Sequence, residues 1–229
     1  MSSKNKVIKD SEQRAQDLLF SEAVENMHNE QIMRLWNKYK YLFWTAIIAV
    51  VLAVACLEVY KNHQMKMLIY ASDQYEQAAV LNAKGQVEEA FESYAALQYS
   101  KTNYKYLSML RRAGIMFEND QPDQALPLLQ AVYSDDAAPE VLRVSALFGW
   151  VTHQIDTADV QELHRMIAPY LVATSPWYGT AVELEVMLQL RQNKTADALS
   201  YIDQALSVTS LPASTKERLE TMKQALTGK

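Results

Sequence analysis

Hydrophobic positions fall into two regimes along this chain of 229 residues. The first is an unbroken apolar run. From Tyr41 to Leu57 seventeen consecutive residues carry no formal charge, and after Glu58 the run continues through Val59 and Tyr60 to reach twenty. Twenty residues rising 1.5 Å each cover about 30 Å, the thickness of a bilayer core, and in lipid only a helix satisfies its own backbone groups. Trp36, Tyr39, Tyr41 and Trp44 crowd one end and Tyr60 marks the other, as membrane-interface aromatics do. The run predicts one transmembrane helix over 41–60 rather than the core helix of a soluble domain.

The second regime is amphipathic and helical. After Tyr60, apolar residues recur at a helical period in segments separated by short polar breaks. The spacing predicts helices near 62–84, 87–99, 104–118, 122–134, 139–155, 158–172, 176–192, 195–207 and 214–227. Cap chemistry marks several starts: Asp120 ahead of Pro122, Ser175 ahead of Pro176, and Ser214 with Glu217 at capping-box spacing. Pro127 and Pro169 fall inside predicted helices and should kink or shorten them. Ahead of the span, Phe20, Val24, Met27, Ile32, Leu35 and Trp36 predict a helix from about Ser11 to Tyr39, with the first ten residues expected to be disordered. The chain therefore reads as all-α, in three parts: an N-terminal helical segment (1–40), the span (41–60) and a helical domain (61–229).

That domain repeats. Ala78, Gly85, Ala90, Tyr94 and Leu97 have the tetratricopeptide order of small residue, turn, small residue, aromatic and apolar residue. Ala113, Asp120, Ala125, Leu129 and Val132 repeat it thirty-five residues on, and Val186, Asn193, Ala198, Ile202 and Ala205 repeat it seventy-three residues after that. The unit between, near Ala146 to Leu171, is degenerate. Small residues suit the points where paired helices approach closely, and stacked pairs of this kind build a solenoid. The expected architecture is a tetratricopeptide-like α-solenoid of about four helix pairs, closed by a C-terminal helix over 214–227. The first helix of each pair lines the concave face of such solenoids. The register nominates Tyr75, Ala79 and Asn82, then Leu110, Gly114 and Phe117, then Glu183, Met187 and Leu190 as a partner-binding groove.

Composition narrows the chemistry. Five Gly are too few for a turn-rich β fold or a glycine-rich phosphate loop, and the single Cys excludes an intramolecular disulfide and a zinc ribbon. A net charge of −5 argues against nucleic acid as a partner. His153 and His164 lack metal-ligand spacing and are expected to cap or solvate helix ends. Asp135-Asp136 reads as turn chemistry, and Asn193-Lys194-Thr195 is a sequon at a turn. No catalytic residue, cofactor site or metal site emerges, which points to a protein that is not an enzyme. Charge orients the span: Arg34, Lys38 and Lys40 precede it, against Lys61 and Lys66 after it, placing the N-terminus in the cytoplasm. Ala53-Val54-Ala55-Cys56 loosely matches a lipoprotein cleavage site, so anchoring through Cys56 stays open as an alternative.

The elements Phe20-Ser21-Glu22-Ala23-Val24-Glu25, Glu30-Gln31 and Leu35-Trp36-Asn37-Lys38-Tyr39, followed by the span, resemble the YfgM-like family of bacteria. These are ancillary subunits of the SecYEG export translocon with a tetratricopeptide-like domain. The resemblance covers roughly 18–229 and becomes generic after Tyr60. It implies an inner-membrane protein with periplasmic repeats, and as partners the bilayer, the SecYEG translocon and a periplasmic chaperone or prolyl isomerase. It also implies a role in assisting newly exported proteins. A scaffold of envelope assembly or cell division, using the same solenoid, is the other reading.

Overall fold

The computed structural model describes the backbone of residues 2–228 and the side chains of Met33 and of residues 36–228. Every regular element among them is helical: α1 (Ser2–Ala83), α2 (Val87–Ala96), α3 (Tyr104–Glu118), α4 (Pro122–Tyr133), α5 (Glu140–Gln154), α6 (Val160–Ile167), α7 (Tyr178–Arg191), α8 (Thr195–Leu206) and α9 (Ala213–Thr227). Single 3₁₀ turns, Leu97–Tyr99 and Ala168–Tyr170, follow α2 and α6. Two compact units divide the chain, residues 1–65 and 66–229.

In the first unit, α1 begins at Ser2, ahead of the expected Ser11, because residues 1–40 contain neither Gly nor Pro to interrupt it. The apolar pattern of Phe20, Val24, Met27, Ile32 and Leu35 lies outside the described side chains. The most apolar stretch of α1 has a mean hydropathy of 2.5 and none of it is buried. A core helix of a soluble protein hides at least one face; this apolar stretch hides none, and the helix is long and apolar enough to cross a membrane. On α1 the Thr45 hydroxyl donates to the Leu42 carbonyl at 2.9 Å, so the helix satisfies this polar side chain itself.

In the second unit, consecutive helices pack in series: α2 on α3, α3 on α4, α4 on α5, α6 on α7, α7 on α8 and α8 on α9. The core is correspondingly a chain of local clusters. Ala78, Ala90, Tyr94 and Ile115 join α1 to α2 and α3; Ala113, Ala125, Leu129, Val132 and Ala146 join α3, α4 and α5. Val144, Val151, Leu163, Ile167 and Leu188 join α5, α6 and α7, and Val186, Ala198, Ile202 and Leu219 join α7, α8 and α9. Contacts confined to neighbours are what a repeat architecture requires.

The repeat register is written into the backbone. Gly85, Asp120 and Asn193 all have positive φ, at 78°, 56° and 60°. Each ends a helix in the same way: Gln86 N–H donates to Leu81 O at 3.0 Å, Gln121 N–H to Met116 O at 2.9 Å and Lys194 N–H to Gln189 O at 2.9 Å. This is the Schellman closure, in which a left-handed residue lets the chain satisfy orphan carbonyls before the next helix. The small residues Ala78, Ala90, Ala113, Ala125 and Ala198 have no exposed surface.

The degenerate unit departs from this for an identifiable reason. The α5–α6 connection holds five residues where the other three within-pair turns hold three, and none of the five is left-handed. Arg191 of α7 supplies donors instead, its Nη1 reaching both Ile155 O and Ala158 O at 2.6 Å. Pro169 shortens α6, which stops at Ile167 and tightens into a 3₁₀ turn, whereas Pro127 sits within α4 and the helix continues to Tyr133.

Several expected caps are displaced. Asp120 is the left-handed residue and Gln121 occupies the cap position before Pro122. Ser175 closes a turn, its Oγ accepting from Trp177 N–H at 3.2 Å, and α7 starts three residues later at Tyr178. Ser214 makes no cap at all: Pro212, with φ −56° and ψ 143°, launches α9 at Ala213 and leaves Ser214 inside the first turn.

Candidate interaction surface

The first helices of the repeat carry a row of side chains at fixed offsets from the small residue: three before, one after and four after. On α3 these are Leu110, Gly114 and Phe117, on α7 Glu183, Met187 and Leu190, and on the tail of α1 Tyr75, Ala79 and Asn82. Each is partly exposed, Met187 most among the large side chains at 39%.

Helix α5 supplies a fourth set. Gly149 holds its small position, where an added Cβ would lie 3.4 Å from Leu129 Cδ1; Trp150 and His153 occupy the two later offsets, while Ala146 at the first is fully buried in the core. His153 lies in the last turn of α5 and keeps an exposed edge, as expected of a helix-end residue, while one face of its ring stacks on Phe117 with centroids 3.4 Å apart, tying α5 to α3. Burial pulls the His153 pKa below the ordinary value. Sequence reasoning missed Trp150 and His153 because the longer loop shifts the α6 positions; the same four-then-three spacing along α5 was the available signal.

The ends of the row are anchored by polar contacts. Tyr75 packs against Tyr94 and Tyr104 at 5.2 and 5.4 Å between centroids, and its hydroxyl accepts from Arg111 Nε at 3.2 Å. The Tyr104 hydroxyl donates to Ser72 Oγ at 3.0 Å, fixing α3 on the tail of α1. At the far end Glu183 accepts from Arg218 Nε of α9 at 2.8 Å. Leu110 and Phe117 also flank the α3–α5 core, and Leu190 flanks the α7–α9 core, so these three serve packing as well as surface. Met187 is the least committed of the large side chains.

Away from the row, polar groups do structural work. His164 does not cap its helix: its Nδ1 lies 2.8 Å from Oε2 of the fully buried Glu185 of α7, whose other oxygen accepts from Gln189 Nε2 at 2.5 Å. A buried carboxylate needs such partners. Asp135 makes the expected turn, accepting from Ala137 N–H at 2.9 Å, and also from the Tyr106 hydroxyl at 2.6 Å. The Tyr106 bond is the main cause that holds its carboxyl below the usual range.

In the first unit, Trp36, Tyr39, Tyr41, Trp44 and Tyr60 are all exposed on α1. Trp36 and Trp44 each pack on Phe43, and Lys38 and Lys40 lie over the Tyr39 and Tyr41 rings at 5.5 and 5.4 Å. Cys56 is exposed on the same helix.

Among the described residues no three His, Cys, Asp or Glu side chains group to hold a metal ion. A family profile described as a tetratricopeptide repeat-like domain matches residues 33–154, more than half of the chain. The chain belongs to that family. The match starts ahead of the apolar run and ends with α5. No curated protein and no solved structure matches the chain. Domains of this repeat-like family generically mediate protein–protein contacts, and the helical architecture of this chain is of that kind.

Proposed function

We propose, from that membership, that the chain is a single-pass inner-membrane interaction module. Residues 1–40 form a cytoplasmic segment, 41–60 span the bilayer, and 61–229 form a periplasmic solenoid. Its pairs are the α1 tail with α2, α3 with α4, α5 with α6 and α7 with α8, and α9 closes the stack. The observation that carries this reading is the row recurring at one register on α1, α3, α5 and α7, with Met187 and Phe117 offering apolar surface to a partner. Methionine and aromatic side chains give large contact area with few fixed polar demands, which suits varied, incompletely folded clients.

The partner we propose is the SecYEG translocon together with a periplasmic chaperone or prolyl isomerase. The Phe20–Glu25 and Leu35–Tyr39 elements ahead of the span support this choice. Co-purification of the full chain in mild detergent tests it: translocon subunits should elute with it. Division or envelope-assembly proteins in their place would move the function to the alternative scaffold. Met187→Ala should weaken the co-elution without changing the melting temperature, and an unchanged yield would remove the row from the binding surface. Protease added to spheroplasts should digest the domain after Tyr60, and its protection would reverse the orientation. An intact-mass measurement showing a diacylated Cys56 at the N-terminus would replace the span by a lipid anchor.

A further inference from the structure

Exposed apolar side chains gather at one edge of the second unit. Leu68, Ile69, Tyr70, Tyr99, Val141 and Val172 are exposed there, Tyr99 most at 84%. Among the described residues of this unit, Val80, Val87 and Met187 are the exposed large apolar side chains elsewhere. Contacts define the edge. Tyr104, the first residue of α3, donates to Ser72 of α1 at 3.0 Å, so the α2–α3 connection stands near residues 68–72. Tyr106 donates to Asp135 at 2.6 Å, which sets the α4–α5 connection beside the start of α3. Alternating helix directions bring the α6–α7 and α8–α9 connections to the same edge, where Leu211 Cδ1 lies 3.2 Å from a Cβ added at Gly179.

The two edges of the unit also differ in charge. Each within-pair turn carries a formal charge: Lys84, Asp120, Asp156 with Asp159, and Lys194. The connections 168–177 and 207–212 carry none. Asp135 and Asp136 are met by Lys105 at 3.5 Å and Arg143 at 2.7 Å. Lys66 and Lys101 offset Asp73 and Glu140. This edge is therefore apolar, aromatic and close to neutral.

Chain connectivity names its occupant. The unit begins at residue 66, six residues after Tyr60. Even fully extended, a segment of that length reaches about 20 Å at most. We infer, on the reading that 41–60 span a bilayer, that this edge rests on that bilayer with its Tyr and Val side chains among zwitterionic headgroups. Tyrosine suits that depth, its ring in the apolar boundary and its hydroxyl in water. Individually weak contacts suffice, because the link to the span holds the edge at high effective concentration beside the lipid.

The test uses the full chain with Cys56→Ser in phosphatidylcholine nanodiscs. Single cysteines introduced by Tyr99→Cys, Val172→Cys, Gln121→Cys or Lys194→Cys carry a nitrobenzoxadiazole label. Lipid spin-labelled at the headgroup should quench most of the fluorescence at 99 and 172 and leave 121 and 194 bright. Equal quenching at the two edges, or none at 99 and 172, would overturn the inference. A label on Leu52→Cys, with lipid spin-labelled in the acyl chain, reports the span separately. If that label stays bright, the spanning reading fails and takes the inference with it; if it is quenched while 99 and 172 stay bright, the inference alone fails. Tyr99→Asp with Val172→Asp should release a label placed by Val141→Cys from the headgroup quencher, with the melting temperature unchanged because both side chains are exposed. Persistent quenching at 141 would count against the edge. Labels at 99 and 172 shielded from both lipid spin label and aqueous iodide would give the edge to a protein, and to a second copy if the shielding disappears at one chain per disc.

Discussion

The His153 ring lies flat on the Phe117 ring, with planes 2° from parallel and centroids 3.4 Å apart. The two residues hold equivalent positions on α5 and α3, so the stack joins successive repeat units, one of them the degenerate unit. It also makes the joint sensitive to acid. Burial lowers the His153 pKa in the folded protein, so the unfolded chain takes up this proton first as pH falls. The stability contributed by the neutral ring is complete above the unfolded value of about 6.5 and is lost as pH falls from there through the folded value. Melting temperatures of the full chain and of His153→Gln, measured in one detergent between pH 8 and pH 5, should therefore diverge below about 6.5. The native chain should lose more than the variant. Parallel curves would show that the ring titrates alike in both states.

At Gly179 the start of α9 packs directly onto α7. A Cβ there would sit 2.6 Å from Thr215 Cγ2 and 3.2 Å from Leu211 Cδ1, and Thr215 is a buried, stiff β-branched residue. Gly179→Ala should destabilise by about 1–3 kcal/mol through overpacking. Thr215→Ser removes the offending methyl and should restore most of the loss in the double variant. A single variant with an unchanged urea midpoint would show that α9 shifts without cost.

Much of this was legible because repeats oversample their own pattern. Ala78, Ala113, Ala90 and Ala125 are small for one reason at each place, and Gly85, Asp120 and Asn193 all accept the left-handed conformation better than other residue types. What was not legible depended on groups distant in sequence or on single backbone choices. His164 and Glu185 lie on different helices, and no local periodicity connects them. Pro212 starts α9 before Ser214 can act as its cap. The two extra residues between α5 and α6 break the register that would have added Trp150 and His153 to the row. Among the row's own residues, Leu110, Phe117 and Leu190 obey the same spacing whether they face a partner or a core, so spacing alone could not rank Met187 above them.

Arg191 replaces a missing turn. It donates to Ile155 O and Ala158 O, carbonyls of the loop that lacks a left-handed residue. Arg191→Met keeps the aliphatic stem and removes both bonds. The expected cost is about 1–2 kcal/mol, the scale of charge-assisted hydrogen bonds in an accessible setting. Amide exchange should quicken at residues 155–160 while the α3–α4 amides keep their protection. Uniform loss of protection across both regions would mean that Arg191 holds the global fold and not the loop.

Gly114 stands in the middle of α3 with helical φ, and an added Cβ would meet no atom within 4 Å. A glycine in a helix interior costs about 0.5–1 kcal/mol relative to alanine, and no packing neighbour here requires it. Gly114→Ala should therefore raise the stability of the isolated chain by about that amount, read as a higher urea midpoint with an unchanged slope. The open space gives the residue its second test. Gly114 sits between Leu110 and Phe117 in the row, where a bare backbone lets another chain approach more closely than any side chain would allow. Gly114→Leu fills that space from the solvent side, so the fold should persist while co-purification of the partner falls. If the leucine variant keeps both its fold and its partner, the gap in front of α3 is not part of the contact, and binding must rest on other members of the row. If the alanine variant loses stability, the space is narrower than a methyl group and α3 packs there against a neighbour.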